Sequence, residues 1–332
     1  MEGRISRTVL AAQLVFAGFV ATAVALHAHG PADFKIFWAA QHTATPYDAA
    51  AIAKVLGPGL RPFSYPPTFL FLTKPLAWIS QPVAYVGWVA LSAMAMVASL
   101  RRPAAPLVLF APAVFLAGIV GQTSLLVGAA LFAGATLLSR PVIAGMLFGL
   151  AACIKPQVVV FAPLVLIAGG HWRALAAAAA TGLVVSLGAT ALYGPHIWAD
   201  WLISLQSFVQ ANDVAWPGRY LSLPGLWRIA PLAIGAVAAW RLASDPERAT
   251  GVAVVAALLG SLHAMDYDAA ILTPFALSAA LAGSWTAVGY VIFLVAPPAM
   301  WSVGLFGAMA LCPRNWPVHR LTARMHTRRE DG

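Results

Sequence analysis

The chain has 332 residues, 61% hydrophobic and only 9% charged, with a mean hydropathy of +0.81; a soluble domain carries about 25% charge, so one large soluble core is excluded. The net charge of +9 does not point to nucleic acid, because basic residues stand singly between apolar runs and the one dense cluster is the tail "RNWPVHRLTARMHTRRE". That distribution suits anionic lipid on a cytoplasmic face, and the long apolar runs predict an all-α polytopic membrane protein.

In chain order, the first span is "TVLAAQLVFAGFVATAVAL" after Arg4 and Arg7, read as an uncleaved helix although "ALHAHG" faintly resembles a signal-peptidase site. Apolar runs follow at 83–100, 103–120, 122–139, 141–154, 156–170, 174–193, 223–241, 249–263, 267–283 and 285–312, each expected to be helical because a backbone in lipid must satisfy its own hydrogen bonds. With the N-terminus inside, Arg101–Arg102, Arg140, Arg173 and "RLASDPER" all fall on cytoplasmic turns. This requires that "YPPTFLFLTKPLAWIS", residues 65–80, lies in the outer interface without crossing. The expected layout is a transmembrane domain over 1–313, with outer loops at 29–82 and 194–222, and a basic tail at 314–332. Cys153 and Cys312 lie in apolar stretches far apart and read as buried thiols.

This topology puts the unusual polar segments on one side: "PADFKIFWAAQHTATPYDAA", "YPPT", "GQTS", "IKPQ", "QANDVAWPGRY" and "HAMDYD". Asp33, where the first span meets water, is either a freely solvated interfacial acid or a functional carboxylate, since acids at membrane depth are costly. Gln122, taken to start a helix, can cap it or bind a hydroxyl-rich ligand. Lys155, between two apolar spans, reads as a helix-start cation that needs an anion, such as a phosphate, or as a lysine snorkelling to the interface. In "HAMDYD", His263, Asp266 and Asp268 match no metal motif, and Asp266 suits a helix cap. A sugar-binding or base-orienting role is the other reading of that cluster. No G-x-S-x-G elbow, P-loop, Rossmann fingerprint or H-E-x-x-H is present.

An acid after the first span, followed by "PYD", "YPP", "GQTS", "AGMLFGLAACIKP" and "HAMDYD", resembles the GT-C membrane glycosyltransferases. The nearest resemblance is to glycosyltransferase family 87, of the polyprenol-phosphate-mannose-dependent α-1,2-mannosyltransferase type. It covers residues 30 to about 285, with the block from Gly121 to Pro156 the most specific part. The resemblance implies a GT-C-like bundle of about 10–12 transmembrane helices, with interfacial helices at 34–56 and 65–80 in the first outer loop. It further implies an inverting, multi-pass enzyme of the plasma membrane whose site faces the periplasm. That enzyme would move a hexose, mannose by the resemblance, from a polyprenyl-phosphate donor to a lipid or glycan acceptor; the chemistry of that scheme demands no cofactor or metal. Asp33 takes the place of the catalytic base. Tyr65, Gln122, Lys155, His263 and Asp268 match positions near the cleft, and Lys35 and Arg219 stand behind Lys155 as cations for the donor phosphate. The chain departs from the family in being short, with fewer or shorter C-terminal spans. A transporter or flippase of a lipid-linked sugar, or a non-catalytic subunit of an envelope-glycan assembly, are the alternatives. Paired broken helices in two halves, expected of a transporter, are not evident.

Overall fold

A computed structural model describes residues 32–58, 62–102, 104–215, 221–282 and 299–311, and these are helical, with no strand among them. The expected first span, Arg219 and the tail lie outside the described residues. Short helices come first: α1 (Ala32–Ala40), α2 (Ala49–Leu56) and α3 (Pro67–Leu72), followed by a 3-10 turn at Lys74–Trp78. The expected helix over 34–56 is thus two helices, the second capped by Asp48, whose carboxylate accepts from Ala50 N. The six residues of α3 rise about 9 Å, far less than the ~30 Å of a hydrocarbon core.

Longer helices follow: α4 (Gln81–Leu100), α5 (Pro112–Val120), α6 (Ser124–Thr136) and α7 (Pro141–Ile154). Then come α8 (Pro156–Val159), α9 (Ala162–Ala168), α10 (Trp172–Tyr193) and α11 (Ile197–Ala215). Last are α12 (Ile229–Arg241), α13 (Pro246–Gly260), α14 (Thr273–Leu281) and α15 (Met300–Leu311).

Several expected single helices are divided. The run 103–120 is a 3-10 turn, Ala105–Phe110, and then α5; Ala111 before Pro112 is extended at φ −66°, ψ 134°. Pro163 likewise opens α9 after α8, and 3-10 turns at Gly225–Arg228 and Asp266–Leu272 precede α12 and α14. Residues 194–222, read as a loop, carry the helix α11, whose sequence "IWADWLISLQSFVQANDVA" is too polar to register as an apolar run. Two helices among the described residues, α4 and α10, are long and apolar enough to cross a membrane. They differ in burial: 56% of the apolar stretch of α4 is covered by protein but only 11% of that of α10, which displays Leu183, Val184 and Leu187 outward.

The packing gives the bundle a polarity. On α7, a Cβ at Gly145 would lie 2.2 Å from Ala174 O and one at Gly149 2.7 Å from Ala178 O. The same four-residue step on both helices makes α7 and α10 parallel, with backbones in contact through small residues. Arg140 and Arg173 therefore share one end, while Lys155 and Tyr193 lie toward the other. In the antiparallel pair α12–α13, Gly260 meets Leu232 and Gly235 meets Ala256. The other helices share this polarity, since Tyr85 of α4 donates to Gly118 O (2.9 Å) near the end of α5, while Arg101 follows the far end of α4. The turns carrying Arg101–Arg102, Arg140, Arg173 and Arg241–Arg248 thus lie at one end of the described bundle, and Asp33, Tyr65, Gln122, Lys155 and Asp268, with Arg228 in the turn before α12, at the other.

Candidate functional site

Asp33 occupies the first turn of α1, where the helix dipole favours a carboxylate. Aromatic packing fixes this short helix. Phe34 is buried against Tyr85 and Trp88, with ring centroids 5.4 and 6.1 Å away, and Phe37 lies edge-on to Tyr65 and Phe69 at 5.0 and 5.2 Å. Gly121 ends α5 in the left-handed region (φ 71°), and a Cβ on it would come within 2.5 Å of Phe34 Cβ. Glycine alone meets both demands. The turn it makes satisfies a last-turn carbonyl, Gln122 N donating to Ala117 O at 2.8 Å, and sets Gln122 beside α1.

Gln122 Nε2 donates to Asp33 Oδ2 at 2.8 Å, and Tyr65 Oη donates to Gln122 Oε1 at 2.5 Å. The same phenol oxygen is 3.1 Å from Thr123 Oγ1. Tyr65 arrives on an extended segment that Pro66 and Pro67 convert into the start of α3. Helix α6 begins only at Ser124, so Gln122 belongs to the preceding turn and does not start a helix.

The other half of the site is an ion pair. Lys155 Nζ contacts Asp268 Oδ1, Ser124 Oγ donates to the same oxygen at 2.7 Å, and Met265 N donates to Asp268 Oδ2 at 3.1 Å. Lys155 and Asp268 are 4% and 3% exposed, so water does not share the pair. The ammonium stands 5.7 Å from the Tyr65 ring centroid and 5.4 Å from that of Tyr267. Gly128 of α6 permits this assembly, because a Cβ there would meet the Ile271 backbone at 2.9 Å. Lys155 follows the last turn of α7, where a cation is favoured, and precedes only the four-residue α8. Lys155 therefore needs no bound anion: Asp268 is its anion. Pro156 lacks an N–H, and Thr68 Oγ1 donates to Cys153 O at 2.6 Å in the last turn of α7.

Burial pushes the Tyr65 phenol up to about 12, with Lys155 opposing the rise and Asp268 and Asp33 adding to it. Burial, then the charges of Asp33 and Asp268, holds the Tyr267 phenol well above its usual range. Both phenols are protonated at neutral pH, and Tyr65 serves as a donor to Gln122.

The structure thus brings together Asp33, Tyr65, Gln122, Lys155 and Asp268. Lys35, half-buried, lies about 200° around α1 from Asp33, on the opposite face of the helix. His263 is half-buried in the turn before Asp266–Leu272, and Arg219 falls outside the described residues. Asp266 is not the helix cap expected of it. Met265 holds that place, and Asp268 three residues on receives its N–H. Thr123, Ser124 and Tyr267 were missed, though the quoted segments "GQTS" and "HAMDYD" contain them. Cys153 is buried as expected, and Cys312 lies outside the described residues. Among the described residues no group of three or more His, Cys, Asp or Glu is placed to hold a metal ion.

A family model described as Glycosyltransferase family 87 matches residues 63–265, more than half of the chain. The stretch includes Tyr65, Gln122, Lys155 and His263, whereas Asp33 precedes it and Asp268 follows it. No curated protein and no solved structure matches the chain.

Proposed function

The chain belongs to glycosyltransferase family 87 and is a glycosyltransferase, and from that premise we propose that it moves a hexose, mannose by its resemblance, from a polyprenyl-phosphate donor to a lipid or glycan acceptor, with Asp33 as general base. The observation that carries the reading is the contrast between the two acids of the site. Asp268 is buried and saturated by Lys155, Ser124 and Met265 N. Asp33 is half-buried and hydrogen-bonded by the neutral amide of Gln122. Of the two, Asp33 alone keeps surface to offer a substrate.

One base suffices for this chemistry. The acceptor hydroxyl gives its proton to Asp33 as its oxygen bonds to the anomeric carbon, and the bond from that carbon to the phosphate oxygen breaks with the electron pair leaving on phosphate. Proton removal of this kind contributes about 10²–10⁴ in rate. A lipid phosphate leaves without protonation by a second carboxyl, unlike the leaving group in glycoside hydrolysis. Attack opposite the phosphate inverts the anomeric carbon. Since Lys155 is committed to Asp268 and Lys35 sits on the opposite face of α1 from Asp33, the direct phosphate contact passes to Arg219, with His263 at the sugar.

The membrane part of the proposal is a GT-C-like, multi-pass bundle of about 10–12 helices in the plasma membrane, the site facing the periplasm. The exposed apolar flank of α10 supports it, as do the turns of Arg101–Arg102, Arg140, Arg173 and Arg241–Arg248 at the end remote from Asp33 and the shortness of α3 and the turn after it. The test is reconstitution of the purified chain in nanodiscs with polyprenyl-phosphate mannose and other hexoses, the products read by mass. Wild type should transfer sugar, and Asp33→Asn should lose about 10²–10⁴ of turnover with its melting temperature unchanged. Near-wild-type turnover in that variant would remove Asp33 from the chemistry. Failure to transfer from any such donor would remove the donor class.

A further inference from the structure

We propose that Gln122 is the positioning residue of Asp33, with Tyr65 fixing the amide so that its nitrogen, not its oxygen, faces the carboxylate. The inference rests on Asp33 as the base and gives Gln122 a role other than substrate contact. An ionised carboxylate only accepts hydrogen bonds, so the amide nitrogen must face Asp33 and the amide oxygen must face Tyr65. The 2.5 Å contact from Tyr65 Oη to Gln122 Oε1 supplies that oxygen with a donor, and Thr123 N adds a second at 3.2 Å. With that phenol proton given to Gln122, the Tyr65 oxygen is left to accept from Thr123 Oγ1 at 3.1 Å. The backbone of Gln122 is held as firmly, by the glycine turn against Phe34 and the bond to Ala117 O. At 4% exposure, Gln122 offers little surface to a sugar. A base held by an oriented third group is a recurring arrangement in catalysis.

The amide acts on Asp33 in two ways. It fixes the plane of the carboxylate, and it stabilises the charged form, which keeps the base ionised as pH falls. The phenols of Tyr65 and Tyr267 also feel the Asp33 charge, with Lys155 and Asp268 behind them. Burial keeps both phenols protonated in the neutral range, so an acid-side transition that disappears in Asp33→Asn belongs to Asp33.

The experiment follows that transition directly, by infrared difference spectra of the full chain in nanodiscs during acid titration, taking the protonated-carboxyl band missing from Asp33→Asn. In Gln122→Leu the midpoint should rise by about 1–2 pH units, the equivalent of one hydrogen bond to a charged group. Tyr65→Phe keeps its ring among Phe37, Phe63 and Phe69 and should move the midpoint the same way by less, since the amide is then free to turn. In transfer assays Gln122→Leu should lower kcat about tenfold to a hundredfold, move the acid limb of kcat upward, and leave the donor KM unchanged. An unmoved or lowered midpoint in Gln122→Leu overturns the proposal. So does a raised KM with kcat kept, which would make Gln122 a substrate contact. If the midpoint rises but wild type transfers no hexose, the positioning stands and the proposed reaction fails. If transfer is seen and the midpoint stays put, the positioning alone fails.

Discussion

Asp33 and Asp268 are carboxylates of one site, and the fold treats them in opposite ways. Asp268 sits on a 3-10 turn pressed against α6, receives Ser124, Lys155 and a backbone amide, and is shut from water. Asp33 rides on a nine-residue helix held by aromatic rings, is bridged by an uncharged amide and stays half exposed. The comparison teaches that acidity at a site is no guide to chemistry: a carboxylate shut from water with its oxygens committed is a clamp, and one that keeps exposed surface can meet a substrate.

The sharpest way to break the comparison is to orphan the clamp. Lys155→Met should destabilise the protein by about 3–5 kcal/mol, because Asp268 is left charged and buried. Lys155→Met with Asp268→Leu should recover much of that loss, as apolar replacements of buried pairs often do. Denaturant or thermal unfolding in detergent measures both, and an unaffected single variant would show that the pair is not sealed from water. A smaller effect comes from the Asp33 side. Gly121→Ala forces a side chain into the left-handed region, about 1–2 kcal/mol, and against Phe34 besides. It should lower turnover more than its melting temperature suggests, since the turn carries Gln122. The smallest is Thr68→Val, which removes the donor to Cys153 O near the Lys155 joint. The expected cost is about 0.5–1.5 kcal/mol, the net worth of one such hydrogen bond, read as a shift in unfolding midpoint.

Much of the site was legible because local chemistry marks it. Asp33 ends an apolar run, Tyr65 precedes a diproline, Gln122 follows a glycine, and Lys155 interrupts two spans. What the sequence does not display is who answers whom. Lys155 read as a cation in want of an anion because Asp268 lies 113 residues away, and only packing brings the two together. Ser124 and Thr123 look like ordinary helix-start hydroxyls until Asp268 and Tyr65 are placed beside them. The divided helices have a local cause, prolines at 112 and 163, which an apolar run masks because hydropathy ignores backbone donors. Helix α11 was hidden for the converse reason, its residues being helical but not apolar enough. The bundle's end-to-end polarity followed from the basic turns, and the parallel packing of α7 and α10 agrees with it.

That parallel pair has a mechanical consequence. Where glycines at 145 and 149 let backbones touch, α7 has no room to rotate or slide on α10 without driving main chain into main chain. The Lys155 side of the site is therefore an anvil. The short helices between residues 32 and 80 meet the bundle through side chains instead, Phe34 against Trp88 and Phe71 against Gly188, so Asp33 sits on a wall set by rings and not by touching main chain.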